Sequence, residues 1–268
     1  MLIDTHCHIN LMVKKRFDSA LTEQDYISAE KIVQEAIIAD VTRMISVGTN
    51  VIESKNCIRI AEKFDAVYAT VAIHPHDCKN EWQQEFNELK KLITHPKVVA
   101  IGETGLDFHY SDYNATRQKD AFKQHIELAL EHDLALVVHT RDAIDETMKI
   151  LEEFQYALKH VVMHCFSEDL NIAQEAVNMG FLLGIAGHIT YPKNDRLRNI
   201  VTTLGLEKII LETDAPFLPP QNIRGQQNSP KQIATIAHYI AQLLNVSFET
   251  VAEITTKNAL GLFQLNNR

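Results

Sequence analysis

The chain has no C-x-x-C pair, one tryptophan, no apolar run long enough to span a membrane, and fewer basic than acidic residues. Each shortage removes a class of function. Its four cysteines, Cys7, Cys57, Cys78 and Cys165, read as free thiols in a reducing cytosol rather than as a disulfide framework. A formal charge of −9 excludes a broad basic face for gripping duplex DNA, so an anionic substrate must be drawn by a local positive site. No stretch approaches the ~18 apolar residues of a membrane helix. Polar Asp4, His6 and His8 interrupt the N-terminus where a signal peptide would be apolar. A cytoplasmic protein without membrane contact is expected. Trp82 opens a helical pattern and offers no base-stacking platform. Linkers, low-complexity tracts and charge blocks are likewise absent.

What is present is a repeat of type, strand then loop then helix. Short β-branched runs at Leu2–Thr5, Arg43–Val47, Ala66–Val71, Val98–Ile101, Leu134–Val138, His160–Met163, Gly180–Gly184 and Lys208–Leu211 read as eight buried parallel strands. Helical patterns lie between them at Ala29–Ala39, Ser54–Phe64, Gln83–Leu92, Thr116–His132, Ala143–Phe154, Asn171–Met179 and Leu197–Leu204. Gly180 suits a position just past a helix end. Pro230–Leu244 and Phe248–Phe263 read as two closing helices, with Pro230 at a first helical position. Eight such units in 268 residues, 46% of them hydrophobic, predict a single α/β domain over residues 1–268, a (β/α)8 TIM-type barrel with extra C-terminal helices.

The polar residues fall where barrel chemistry sits, just past the strands. In Asp4-Thr-His6-Cys-His8, period-2 alternation puts two imidazoles on one face. Glu103, His139, His164 and Asp214 each follow another apolar run. A single histidine at a strand end is ordinarily a hydrogen-bonded structural residue, and His95, His125, His132, His160 and His238 are read so. Six such groups at one mouth are costly to bury without a cation. Six ligands exceed what one catalytic zinc needs, so two divalent metal ions are expected, with Glu103 as the bridging carboxylate. Magnesium, manganese and zinc all remain open. Two divalent cations against two carboxylates leave that site positive despite the acidic whole.

Asp214, in Glu212-Thr-Asp214-Ala-Pro216, is expected to bind a metal and accept a proton from the attacking water; Glu103 is its catalytic companion. Glu212 is a supporting group or a solvated neighbour. His74 and His76, flanking Pro75, and Arg141 and Arg224 are the candidate substrate contacts. Arg141 alternatively pairs with Asp142 or Asp145. Arg224 could reach over the mouth from a polar loop freed by Gly225. Cys7 and Cys165 alternate to the other face and read as buried spacers.

The motifs Asp4-Thr-His-Cys-His8, Ala72-Ile-His-Pro-His76, Gly102-Glu-Thr-Gly-Leu-Asp107, His139-Thr-Arg-Asp-Ala143, His164-Cys-Phe-Ser167, Glu212-Thr-Asp-Ala-Pro216 and Arg224-Gly-x-x-Asn228 occur in one order along the whole chain. In them the chain resembles the TatD-type metal-dependent deoxyribonucleases of the amidohydrolase superfamily. The resemblance implies a barrel with a divalent metal pair, 3′-to-5′ exonuclease activity on DNA, and ligands on His6, His8, Glu103, His139, His164 and Asp214. This chain departs from the family pattern at Gln226, where a lysine is usual, and at Glu168, where glycine is commoner. DNA as single strands or frayed ends is the expected partner, with no obligate protein partner. An amide, lactone or aminoacyl-ester hydrolase on the same scaffold is the alternative.

Overall fold

The computed structural model describes residues 1–14 and 18–267. Its eight strands are β1 (Leu2–Cys7), β2 (Val41–Ser46), β3 (Val67–Val71), β4 (Val98–Asp107), β5 (Ala135–Arg141), β6 (Val161–Met163), β7 (Leu182–Ile185) and β8 (Ile209–Leu211). They pair in sequence order, every pair parallel. β8 returns to β1 mainly at the C-terminal end. There Thr5 Oγ1 donates to the Leu211 carbonyl (2.8 Å), and Asp214 N to the His6 carbonyl (2.9 Å). A parallel bridge joins Cys7 to Ala215. The residues that close the barrel are thus neighbours of the expected ligands.

The helices are α1 (Ile9–Val13), α2 (Glu23–Ile38), α3 (Val51–Lys63), α4 (Trp82–Leu89), α5 (Ala115–Glu131), α6 (Ile144–Phe154), α7 (Leu170–Asn178), α8 (Asp195–Leu204), α9 (Ile233–Leu244) and α10 (Phe248–Leu262). Side-chain oxygens stop the chain at their starts. Thr22 and Asp25 form a capping box at α2, and Asn50, Asn114, Asp169 and Asn194 cap α3, α5, α7 and α8. Each cap fixes where a loop leaves the mouth. No helix among the described residues is long and apolar enough to cross a membrane.

One apolar layer packs between strands and helices, and a second cluster, with Ile3, Ile45, Val99, Val137, Val162 and Ile210, fills the barrel. Leu262, Phe263 and Leu265 complete that inner cluster. α10 is anchored beneath it, Asn258 donating to the carbonyls of Leu206 and Ile209. Trp82 is buried at the start of α4.

Several boundaries differ from those expected, and the difference has a physical reason. β1, β4 and β5 extend past their apolar runs, because β1 still pairs with β2 at Cys7↔Ser46 and the β4–β5 ladder continues through Gly105↔His139 and Asp107↔Arg141. The polar residues there are strand residues whose side chains enter the mouth, not loop residues. Gly105 permits this, since a Cβ on it would strike the His139 carbonyl oxygen and its φ is +146°. α2 starts at Glu23, behind its Thr22 cap, six residues before the apolar pattern does. Pro230 begins a 3₁₀ turn, Pro230–Gln232, that leads into α9.

Candidate active site

The mouth is a cleft of about 750 Å³. Among the residues lining it are His8, His74, His76, Glu103, His139, Arg141, His164 and Asp214, with Phe217 and Leu218 as an apolar wall. His6 is fully buried behind them and stacks on His164, with ring centroids 3.5 Å apart. Every residue expected to ligate metal is therefore at this one place. Arg224 is not; its guanidinium lies 4.4 Å from the Tyr191 ring, and it does not line the cleft. Arg141 stands at the rim with its guanidinium 5.6 Å from the Tyr110 ring. Asp142 pairs instead with His109 (2.6 Å).

Glu103 is the centre. Its Oε2 is 3.3 Å from His6 Nε2 and 3.8 Å from His8 Nε2. Its Oε1 is 2.6 Å from His139 Nδ1 and 3.5 Å from both His74 Nε2 and His164 Nε2. Asp214 Oδ1 lies 3.4 Å from His8 Nε2, 3.8 Å from His6 Nε2 and 4.0 Å from His164 Nε2. Among the described residues four groups have donor atoms close enough to hold an ion, and Glu103 belongs to two of them, His6/His8/Glu103 and His74/Glu103/His139.

Two rings have a hydrogen-bonded outer nitrogen, and that of His164 lies beside a carboxylate without a hydrogen bond. His8 Nδ1 meets the Val47 carbonyl (3.2 Å), His139 Nε2 meets Asp107 Oδ2 (3.1 Å), and His164 Nδ1 is 3.0 Å from Glu212 Oε1. These contacts orient each ring so that its other nitrogen faces Glu103 and Asp214. Imidazole nitrogens facing carboxylate oxygens at 2.6 Å to 4.0 Å require a cation or a proton between them. Among the described residues no lysine or arginine pairs with Glu103, Asp107, Glu212 or Asp214. The residues present fit a divalent cation.

His74 differs. Its Nδ1 accepts from His76 N (3.2 Å), so its proton faces Glu103 from Nε2, making it a donor rather than a ligand. Burial, with His139 beside it, pushes its pKa down to about 4, so it stays neutral.

The same pressure acts on the other groups. Burial works against charge on His164, but Glu212, Glu103 and Asp214 outweigh it and raise its pKa to about 10. Burial likewise opposes charge on His8 and His139, and is outweighed by Asp214 for the first and by Asp107 and Glu103 for the second; both pKa values rise. Burial would raise Glu103 and Asp214, yet the surrounding imidazoles hold both below the ordinary carboxylate range. Both acids are ionised at neutral pH.

Sequence reasoning missed three contributors. Asp107 holds His139 and also His76, whose Nε2 is 2.8 Å away. Asn228, fully buried, donates to the carbonyls of Thr213 (2.9 Å) and Phe217 (2.7 Å) and so pins the turn carrying Asp214. Cys165 is not a buried spacer. It is half-buried, lines the cleft, and groups with His164 and Asp214. Its φ of +47° breaks the alternation that would have turned it outward. Cys7 is fully buried as expected. Glu212 proves to be a supporting group, buried, its Oε1 also accepting from Cys165 N (2.5 Å).

A family model described as TatD related DNase matches residues 3–264. The chain is 34% identical over 266 residues to the Bacillus subtilis protein named uncharacterized metal-dependent hydrolase YabD, covering 99% of this chain and 100% of that relative. It is 30% identical over 250 residues to the Citrobacter koseri protein named 3′-5′ ssDNA/RNA exonuclease TatD, covering 91% and 96% of the two. The crystal structure of YJJV, a TatD homolog from Escherichia coli K12, superposes with a TM-score of 0.88 at 28% identity, covering 98% of each chain. With its barrel and its histidine–carboxylate mouth, the chain belongs to the TatD-related DNase family and is a metal-dependent hydrolase of that family.

Proposed function

We propose that the chain hydrolyses phosphodiester bonds at single-stranded ends of DNA, as a 3′-to-5′ exonuclease, using two divalent ions. The observation that carries this reading is Glu103, one oxygen turned to His6 and His8 and the other to His139 and His164. His6, His8, Glu103, His139, His164 and Asp214 would hold the ions. Divalent cations there would supply Lewis-acid polarisation of the phosphate and acidify a water.

The chain's own residues do the rest. Asp214, ionised and at the cleft surface, accepts the water's proton. Glu103 keeps the imidazoles of β1 and β5 in place from opposite sides. His74 presents an N–H, and Arg141 at the rim offers a guanidinium fork to a phosphate oxygen. His76, held by Asp107, forms the neighbouring wall. The name of the Citrobacter relative supports a nucleic-acid substrate.

The test is incubation of metal-reconstituted protein with end-labelled single-stranded DNA and RNA. Stepwise release of mononucleotides from 3′ ends is expected. Intact oligonucleotides, together with turnover of an amide, lactone or aminoacyl ester, would replace this reading with the alternative one.

A further inference from the structure

Two smaller cavities open beside the mouth, and their chemistry is opposite. One, about 480 Å³, is lined by Asp18, Asp77, Glu85 and Glu88 with Lys79 as its lone cation. It repels phosphate. The other, about 320 Å³, is lined by Tyr110, Tyr113, Lys79 and Arg117, with Asp112 as its carboxylate. His76 is common to this second cavity and to the mouth.

The second cavity has a firm floor and open walls. Gln118, buried, donates to the carbonyls of Pro75 (3.3 Å) and Asp107 (3.0 Å), tying the cavity floor to the strand that carries Glu103. Tyr110 is 51% exposed, its ring edge-on to His76 with centroids 4.9 Å apart. Tyr113 is 44% exposed and stacks on Phe108. Arg117 spends two donors on the Cys78 carbonyl and Asn80, and a guanidinium has three more. Lys79, exposed, faces Asp77 only at 3.9 Å, a surface pair that a phosphate can displace. Exposed aromatic faces next to cationic donors are what a base and its phosphate require.

We propose that this side cavity is a nucleotide subsite, in which the base of the next nucleotide, one beyond the two that flank the scissile phosphodiester, stacks on Tyr110 and its phosphate meets Lys79 and Arg117. The ligand class is a single-stranded polynucleotide, leaving the mouth across His76 and away from the acidic cavity. The inference rests on the phosphodiesterase reading above.

The experiment measures KM for labelled oligothymidylates from dT2 to dT6 with the metal-reconstituted full chain. For the wild type, KM should fall at least about fivefold at one added nucleotide, as the stacked base enters, and then level. Tyr110→Ala should remove that step, and Tyr110→Phe should keep it. Lys79→Gln should shrink the step. A step that survives Tyr110→Ala, or a wild type with no step, overturns the subsite and leaves the nuclease reading standing. A wild type that cleaves bis(p-nitrophenyl) phosphate but none of the oligonucleotides overturns both. Circular dichroism of Tyr110→Ala guards against misfolding; at a half-exposed loop position it should match the wild type.

Discussion

Asp107 does for His139 what the Val47 carbonyl does for His8, fixing one ring nitrogen so that the other faces inward, while Glu212 sets a carboxylate beside the outer nitrogen of His164. Such outer groups carry little sequence signal, since each is one acid among 35, and only the ladder Asp107↔Arg141 shows that Asp107 sits beneath His139. Asp107→Asn keeps the shape but makes a neutral, weaker partner for His139. Metal affinity should fall about 10- to 100-fold, read by calorimetric titration, and unchanged affinity would show that the ring is held without the carboxylate. Asp214→Asn tests the proton acceptor. An amide cannot take the proton of the attacking water, so kcat should fall at least about 100-fold while circular dichroism stays that of the wild type. Near-normal turnover would place the base elsewhere.

At the scale of elements, hydrophobic runs sufficed to locate all eight strands and the barrel, because buried parallel strands are written in apolar residues. The same criterion ends a strand at its first polar residue. It therefore cut β4 short of Gly105 and Asp107 and β5 short of His139 and Arg141, where the ladder continues. It also left His125 as an ordinary helical residue, which is where it sits but not all it does. His125 Nδ1 donates to the Ala121 carbonyl (2.7 Å) and its Nε2 accepts from Ile73 N (3.0 Å), so one neutral ring braces the loop that carries His74. Burial pushes its pKa down to about 4. The folded value lies below the unfolded value of about 6.5, so the unfolded chain binds the proton first as pH falls. This contribution to stability is complete above pH 6.5 and is lost towards pH 4, about 3 kcal/mol in all. Urea unfolding should show a shallower pH dependence between pH 6.5 and 4 for His125→Gln than for the wild type. Equal slopes would mean the ring is not held neutral.

For the molecule as a whole, the tension is between a charge of −9 and the polyanionic substrate proposed above. The mouth resolves it locally, with a site built to hold cations and Arg141 on its rim, while the rest of the surface stays acidic and repels duplex. The number of phosphates engaged must then be small. Binding of a single-stranded oligonucleotide, measured from 50 to 200 mM salt, should show a log–log slope of about −2, the value for two or three phosphates on a single strand. A footprint of eight would give about −5 to −6. Arg141→Ala should weaken binding and reduce the slope by about 0.7, one phosphate contact. The loop of Arg224 and Gln226 lies outside the cleft lining, with Arg224 stacked on Tyr191. Restoring a lysine by Gln226→Lys should therefore change affinity less than about twofold, far below the effect of Arg141→Ala. Tighter binding in Gln226→Lys than that, or a slope as steep as an eight-phosphate footprint, would show that the strand is gripped well beyond the mouth and its neighbouring cavity.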